Sequence, residues 1–160
     1  MSTTTLPDAG LYDRDFALWA ETQAGRLREA ARTSNLPIDW ENLAAELEGL
    51  SNSQQAELGS RLTTILEHLL KLRHSSAQLP RRGWRVTVVT QRHDLARLLR
   101  LSPSLRRRLS EQLPEAYEAA RQRAQTGKPP GERWSRVPET CPFAVEQILD
   151  PNWFPARSSV

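Results

Sequence analysis

The chain has 160 residues, of which 38% are hydrophobic and 26% are charged, and this composition is typical of a folded globular protein rather than a disordered one. No apolar run approaches the roughly 20 residues of a membrane-spanning helix, and the N-terminus lacks the basic start and apolar core of a signal peptide. The single cysteine, Cys141, cannot form an intrachain disulfide. Together these features predict a cytoplasmic protein with no membrane partner.

Charge is unevenly distributed along the chain, although the net charge is only +3. Residues 1–67 carry 11 acidic and 5 basic side chains, whereas residues 68–128 carry 4 acidic and 14 basic ones. Such asymmetry is compatible with a nucleic-acid surface, with an acidic half that folds against a basic half, or with two copies that pair acidic face to basic face. We favour the internal and partner-protein explanations.

The first helix is predicted from about Asp13 to Arg32, with Asp13 or Asp15 near its N-terminus, where the helix dipole favours anions. It ends before Pro37, because the residue before a proline avoids the helical basin. Its inner face is expected to contain Phe16, Trp19, Ala20, Gln23, Leu27 and Ala30.

The clearest helix start in the chain lies at residues 36–50. Ile38, Asp39 and Leu43 occupy the positions of a hydrophobic staple around an N-cap, so the Asp39 carboxylate is predicted to accept from the first free N–H groups. Helical spacing then predicts one buried apolar stripe. The stripe consists of Trp40, Leu43, Ala44, Leu47 and Leu50.

Gly49 and the serine-rich residues 51–53 predict a kink or a short turn before a long third helix at about 53–74. The third helix has a near-heptad stripe suited to packing against other helices. It contains Leu58, Leu62, Ile65, Leu66, Leu69 and Leu72.

The fourth segment, about 83–101, fits two patterns. Trp84, Val86 and Val88 alternate as in a strand, whereas Trp84, Val88, Gln91, Leu95 and Leu98 fit helical spacing. A helix is favoured, because a lone strand would leave its backbone groups unpaired.

A fifth helix is predicted from Pro103 to about Gln125, with Ser102 as its N-cap and Pro114 expected to kink or divide it. Its buried side is expected to contain Leu105, Leu109, Leu113, Ala116 and Ala120. Near the C-terminus, residues 142–149 predict a short helix, followed by an aromatic anchor at 153–155.

These elements predict a single-domain, all-α bundle of five or six helices. The predicted divisions are a disordered N-terminus at 1–10, a helical bundle at 11–125, a linker at 126–140, a short helix docked on the bundle at 141–155, and a tail at 156–160.

Five blocks of sequence stand in a specific order and spacing. They are Tyr12-Asp13-Arg14-Asp15-Phe16-Ala17-Leu18-Trp19, Ile38-Asp39-Trp40-Glu41-Asn42-Leu43, His68-Leu69-Leu70-Lys71, Trp84-Arg85 with Gln91-Arg92, and Cys141-Pro142-Phe143 with Gln147-Ile148-Leu149-Asp150. From about Leu11 to Pro155 the chain thereby resembles the bacterial family "domain of unknown function 29" (DUF29). Leu72 and Thr90 depart from it, since the family often has tryptophan and an acidic residue there. The resemblance implies an all-helical fold and no assigned activity.

The sequence predicts no catalytic residue, metal or cofactor. His68, His74 and His93 belong to no His-x-x-x-His or Glu-x-x-His pair, and Cys141 has no histidine near it in sequence. Phosphate-cradling glycine loops, dinucleotide fingerprints and Gly-x-Ser-x-Gly motifs are also missing from the sequence.

A polar set borders the apolar stripes and consists of Glu46, Arg61, His68 and Arg92. If the helices pack side by side, these residues form a network in a partly buried groove. We favour an ion-pair network that fixes helix register, and an anion or ligand pocket is the alternative.

Arginines are concentrated between positions 81 and 108, and guanidinium groups suit phosphate recognition. No known nucleic-acid reading motif accompanies them, so a solvated helical face is favoured. The candidate nucleic-acid surface contains Arg81, Arg82, Arg85, Arg97, Arg106, Arg107 and Arg108.

We therefore expect a non-enzymatic helical protein that acts through protein contacts, as a homodimer or as an adaptor. The first alternative is a nucleic-acid-associated regulatory protein that uses the Arg81–Arg108 surface. The second is a ligand-binding protein or enzyme with Glu46 and His68 in its pocket.

Overall fold

The computed structural model describes residues 8–134 and 136–158, and within these ranges the regular structure is entirely helical. The predicted all-α fold of five or six helices is confirmed. The elements are α1 (Leu11–Arg14), α2 (Phe16–Ala31), α3 (Trp40–His74), α4 (Arg81–Leu101), a 3-10 turn (Pro103–Leu105), α5 (Arg106–Thr126) and α6 (Val145–Leu149).

The chain divides into two compact units. In the described residues, the first unit comprises 8–56 with 98–106, and the second comprises 57–97 with 107–158. The predicted division into bundle, linker and docked helix stays a prediction. The predicted disordered N-terminus lies outside the described residues up to residue 7, as does the end of the predicted tail at 159–160.

In the first unit, Asp15 separates α1 from α2 and caps α2. Its Oδ1 accepts from the backbone N of Leu18 at 3.0 Å, and its Oδ2 accepts from the backbone N of Ser104 at 2.6 Å. The backbone N of Ala17 donates to the Ser102 hydroxyl at 3.0 Å. Ser102 therefore supports the start of α2. It also occupies the predicted N-cap position before Pro103, although its side chain makes no capping hydrogen bond there.

The buried side of α2 is made of small residues. Ala17, Ala20 and Ala24 are at most 1% exposed, whereas Phe16 and Trp19 are half-buried. The predicted inner face of this helix therefore differs from the face that is buried. Among the predicted residues, only Ala20 is fully buried. Phe16 and Trp19 instead contact Tyr12 of α1, with ring centroids 5.6 and 4.8 Å from the Tyr12 ring.

Asp39 begins α3 as predicted, because its Oδ1 accepts from the backbone N of Asn42 at 3.2 Å. The predicted turn near 51–53 does not form, since α3 continues from Trp40 to His74. Two serines explain why these turn-favouring residues fit a helix. Ser53 donates to the Gly49 carbonyl at 2.8 Å, one turn back, and the buried Ser51 donates to Glu21 Oε1 at 2.8 Å.

The apolar stripe predicted for the first part of α3 is only partly buried. Ala44 is fully buried, but Leu43 and Leu50 are 47% and 45% exposed. Periodicity identified a helix here, yet the tertiary environment selected a neighbouring face as the buried one.

The second unit contains the large aliphatic core. All six leucine and isoleucine residues of the predicted third-helix stripe are at most 2% exposed. Val88 and Leu95 of α4 are fully buried, which confirms the helical interpretation of residues 84–90. From α5, Leu109, Ala116 and Ala120 are buried as predicted.

Pro114 lies inside α5 but does not divide it, so that part of the expectation is wrong. Proline removes one backbone donor and crowds the preceding turn. The carbonyl that loses its partner belongs to Ser110, and both Ser110 and Pro114 are exposed, so water can solvate it.

Candidate functional site

Arg61 joins α3 to α4 within the second unit. Its guanidinium lies 2.8 Å from Glu57 on its own helix and 2.9 Å from Asp94 Oδ2 on α4, and it also donates to Gln91 Oε1 at 3.1 Å. Two carboxylates facing one guanidinium leave little positive charge for an anionic ligand. These contacts support the ion-pair interpretation for Arg61.

The other members of the predicted groove have partners outside the set. His68 Nδ1 lies 2.9 Å from the Thr64 carbonyl, one turn back on α3, so this nitrogen carries the proton. Arg92 binds backbone carbonyls near the C-terminus. Glu46 is exposed on the part of α3 that belongs to the first unit. The groove itself stays a prediction.

Arg92 holds the C-terminal segment of the second unit. The side chain is only 4% exposed and donates to three carbonyl oxygens: Nε to Ile148 at 2.7 Å, Nη1 to Trp153 at 2.8 Å and Nη2 to Gln147 at 3.0 Å. Burial lowers the pKa of Arg92, and the charge of Asp150 opposes this effect. The planar fork of donors satisfies carbonyls around the end of α6 that would otherwise lack partners.

The predicted nucleic-acid surface consists of arginines in different situations. Arg81 donates to the carbonyls of Ser75 and Leu72 at 3.1 and 2.8 Å, so it caps the C-terminal end of α3. Arg108 lies 3.0 Å from Glu111 in an ion pair. The remaining five are exposed: Arg82, Arg85, Arg97, Arg106 and Arg107.

An apolar groove with a basic rim lies on the outer face of α4, and we call it the α4 groove. Its floor contains Val86 and Val89, which are 58% and 48% exposed, and Phe154 of the C-terminal segment. The Arg85 guanidinium lies 4.0 Å from the centroid of the Phe154 ring, in cation–π geometry. The groove has a volume of about 350 Å³, and it is lined by Arg82, Arg85, Val86, Val89, Thr90 and Phe154.

A cluster around Glu132 was missed by the sequence reasoning. Glu132 Oε1 accepts from the Ser75 hydroxyl at 2.8 Å, from the Ser76 hydroxyl and backbone N at 2.9 Å, and from the Ala77 backbone N at 2.9 Å. Its Oε2 accepts from Trp134 Nε1 at 2.7 Å. The partners at residues 75–77 lie more than 50 positions from Glu132, and nothing in either local sequence signals the pairing.

Hydrogen bonding and burial act in opposite directions on Glu132. Burial raises its pKa, but the hydrogen bonds from Trp134, Ser75, Ser76 and Ala77 outweigh this effect and lower the pKa to about 2. The carboxylate is therefore ionised throughout the ordinary pH range.

His74 adds a buried ring to the same cluster. It stacks on Trp134, with centroids 5.8 Å apart and an interplanar angle of 25°. Both ring nitrogens are buried and have no hydrogen-bond partner within the described residues. Burial, with a smaller effect from the charge of Arg73, lowers the pKa of His74, which favours the neutral ring.

Cys141 is half-buried, and its thiol donates to the Phe143 carbonyl at 3.5 Å. Burial raises the pKa of Cys141, so the thiol is not activated as a nucleophile. Across residues 8–134 and 136–158, no group of three His, Cys, Asp or Glu side chains could hold a metal ion. In the same ranges, no helix is long and apolar enough to span a bilayer.

The fold and the α4 groove define a small all-helical protein with an apolar groove that is lined in part by arginines. Residues 11–154 match the model of the family described as "Domain of unknown function DUF29", and the chain belongs to this family. The resemblance seen in the sequence blocks is thereby confirmed.

Among solved structures, an alpha-helical protein of unknown function from Rhodospirillum rubrum is similar, with a TM-score of 0.69 and 23% sequence identity. The match covers 89% of this chain and 90% of that chain, and at this identity it shows a shared fold. No curated protein matches the chain.

Proposed function

We propose that this protein acts through protein contacts and that the α4 groove is its contact surface. The observation that carries the proposal is the pair of exposed valines, Val86 and Val89, which line one groove with Phe154 and two arginines. An apolar floor with a charged rim is the usual anatomy of a protein interface. The roles predicted from the sequence, a homodimer or an adaptor, both use such a surface.

The occupant of the groove is a second copy of this chain. On the first part of α3, Leu43, Glu46 and Leu50 are exposed and are three and four positions apart, so they share one helix face. This leucine–carboxylate–leucine face complements the apolar floor and the basic rim of the α4 groove. We call it the α3 acidic face. The cytoplasmic location predicted from the sequence stays a prediction.

Sedimentation equilibrium of the full chain at micromolar concentration tests the proposal. We expect an assembly whose mass is a multiple of 18.2 kDa. Val89→Glu places a carboxylate opposite Glu46 of the other copy, and we expect it to weaken association by about tenfold or more, since juxtaposed like charges cost several kcal/mol. Leu43→Glu on the α3 acidic face should have the same effect.

Ala96→Glu is the matched control, because Ala96 is also exposed on α4 but lies two turns beyond Val89 and outside the groove. Circular dichroism verifies that each variant keeps its helices. A monomer at high concentration, or equal weakening by Ala96→Glu and Val89→Glu, contradicts the proposal. An unrelated protein that occupies the groove of the monomer would support the adaptor role instead.

A nucleic-acid-associated role is the second candidate. It is favoured by the five exposed arginines of the predicted surface and by the excess of basic side chains in residues 68–128. Arg81, Arg92 and Arg108 contribute little to it, because they bind backbone carbonyls or a carboxylate.

A further inference from the structure

A second pocket lies in the second unit, where the end of α5 meets the segment that follows it. It has a volume of about 360 Å³, which is within the range of small-molecule sites. Its walls include three basic side chains and one indole, and none of them belongs to the α4 groove. We call it the Trp134 pocket.

The positive charge of the Trp134 pocket is only partly neutralised. Arg121 is bound to Glu118 at 3.0 Å, whereas Lys128 and Arg136 are exposed and have no ion pair within the described residues. Glu139 is the acidic side chain among the lining residues. Two available cations beside a third are suited to a phosphate group, which needs several charged donors.

The indole of Trp134 is held in place from two sides. Its Nε1 donates to Glu132 Oε2 at 2.7 Å, and one ring face stacks on His74. Glu132 is itself fixed by four hydrogen bonds from residues 75–77. A ring that is positioned before a ligand arrives is a good platform for stacking, because little conformational entropy is lost on binding.

Polar groups beside the indole complete the pocket. The Gln125 side chain offers an amide donor and acceptor, and Glu139 offers acceptors for hydroxyl groups. Cations, an aromatic platform, one amide and one carboxylate thus line one small volume.

We propose that the Trp134 pocket binds a small ligand that joins a phosphate to a flat heterocyclic ring, the simplest being a nucleoside monophosphate. The phosphate lies between Lys128 and Arg136, and the heterocycle stacks on Trp134. This inference is independent of the α4 groove, since the two sites share no lining residue.

Isothermal titration of the full chain with AMP and with UMP tests the inference, with inorganic phosphate and the matching nucleoside, adenosine or uridine, as the two halves of each ligand. We expect at least one nucleotide to bind about tenfold or more tightly than either half, because both groups are engaged together. Lys128→Ala and Arg136→Ala should each weaken the binding of that nucleotide by about fivefold or more. Arg123→Ala is the control, because Arg123 is exposed on α5, lies outside the pocket and does not belong to the candidate nucleic-acid surface.

Chemical-shift changes of the Trp134 indole N–H, followed by NMR during the titration, localise the ligand without a substitution that could disturb folding. The inference is overturned if neither nucleotide binds, or if phosphate binds as tightly as both. It is also overturned if nucleotide binding is unchanged in the Lys128→Ala, Arg136→Ala double variant, or if RNA binds while neither nucleotide binds.

Discussion

Individual charged residues in this protein bind backbone groups of other segments. Arg81 binds carbonyls at the end of α3, Arg92 binds carbonyls around α6, and Glu132 binds N–H groups of the loop after α3. Helix ends and loops leave such groups without partners, and an unpaired buried polar group costs free energy. The charged side chains at these positions are therefore explained by structural hydrogen bonds to the backbone, without a bound ligand.

At this scale we predict that Glu132→Gln destabilises the protein by about 1–3 kcal/mol at pH 7, because an amide replaces an oxygen that accepts from buried or part-buried donors. The folded pKa of Glu132, about 2, lies below its usual value of 4.5. Its stabilisation is therefore complete above pH 4.5 and is lost as the pH falls towards 2. Urea unfolding from pH 2.5 to 7 measures the difference between variant and wild type, which should shrink on acidification.

Glu115→Gln, an exposed carboxylate on α5, is the control for this series. We expect its free energy of unfolding to stay near that of the wild type at every pH. A Glu132→Gln variant whose deficit is the same at pH 2.5 and pH 7 would show that the carboxylate charge is not the source of the stabilisation.

At the scale of elements, the short α6 depends on the helix beside it. Five residues are too few for an independently stable helix in water. Arg92 of α4 binds the carbonyls of Gln147, Ile148 and Trp153, and the Trp153 ring contacts Phe143 at 5.6 Å. The order of the segment therefore follows from tertiary contacts.

We predict that Arg92→Lys releases α6 while leaving the rest of the second unit folded. Lysine keeps the charge but cannot donate to three carbonyls in one plane. Hydrogen exchange read by mass spectrometry should show faster exchange over residues 145–154, by about tenfold or more, with slow exchange retained in α3. Arg97→Lys on the exposed side of α4 is the control. Unchanged protection of α6 in Arg92→Lys would contradict the prediction.

On the scale of the whole molecule, the charge asymmetry separates the two candidate functions. Self-association through the α4 groove uses basic and acidic surfaces of two copies, whereas nucleic-acid binding uses the basic surface alone. Self-association and nucleic-acid binding both weaken as the salt concentration rises. Only for nucleic-acid binding does the slope of log K against log salt depend on the number of phosphates neutralised.

For the nucleic-acid candidate, fluorescence anisotropy with a labelled DNA duplex should give a linear fall of log K with log salt. Each phosphate contact contributes a slope of about 0.9, so Arg82→Ala with Arg97→Ala should reduce the slope by about two. Arg123→Ala, exposed on α5 and outside positions 81–108, should leave it unchanged. Absent or salt-independent binding would exclude this candidate.

Local sequence signals were sufficient for helix identity but not for every helix boundary. The Asp39 cap and the apolar stripe from Leu58 to Leu72 were predicted correctly, because cap chemistry and periodicity act over a few residues. Of the kink or turn predicted at 51–53, the turn is wrong, because the side chains of Ser51 and Ser53 make hydrogen bonds that fit a continuous helix. Glu21, one of the hydrogen-bond partners, is 30 positions away from Ser51.

What the sequence by itself determined is the all-helical class, the family, and the uneven charge along the chain, all of which depend on residue type and short spacing. Tertiary structure alone decided which face of each helix is buried, so Leu43, Val86 and Val89 became accessible surface. It also decided that Arg92 holds α6 and that Glu132 fixes Trp134. These pairings join residues far apart in the chain, and their free energy depends on burial and geometry that no local pattern encodes.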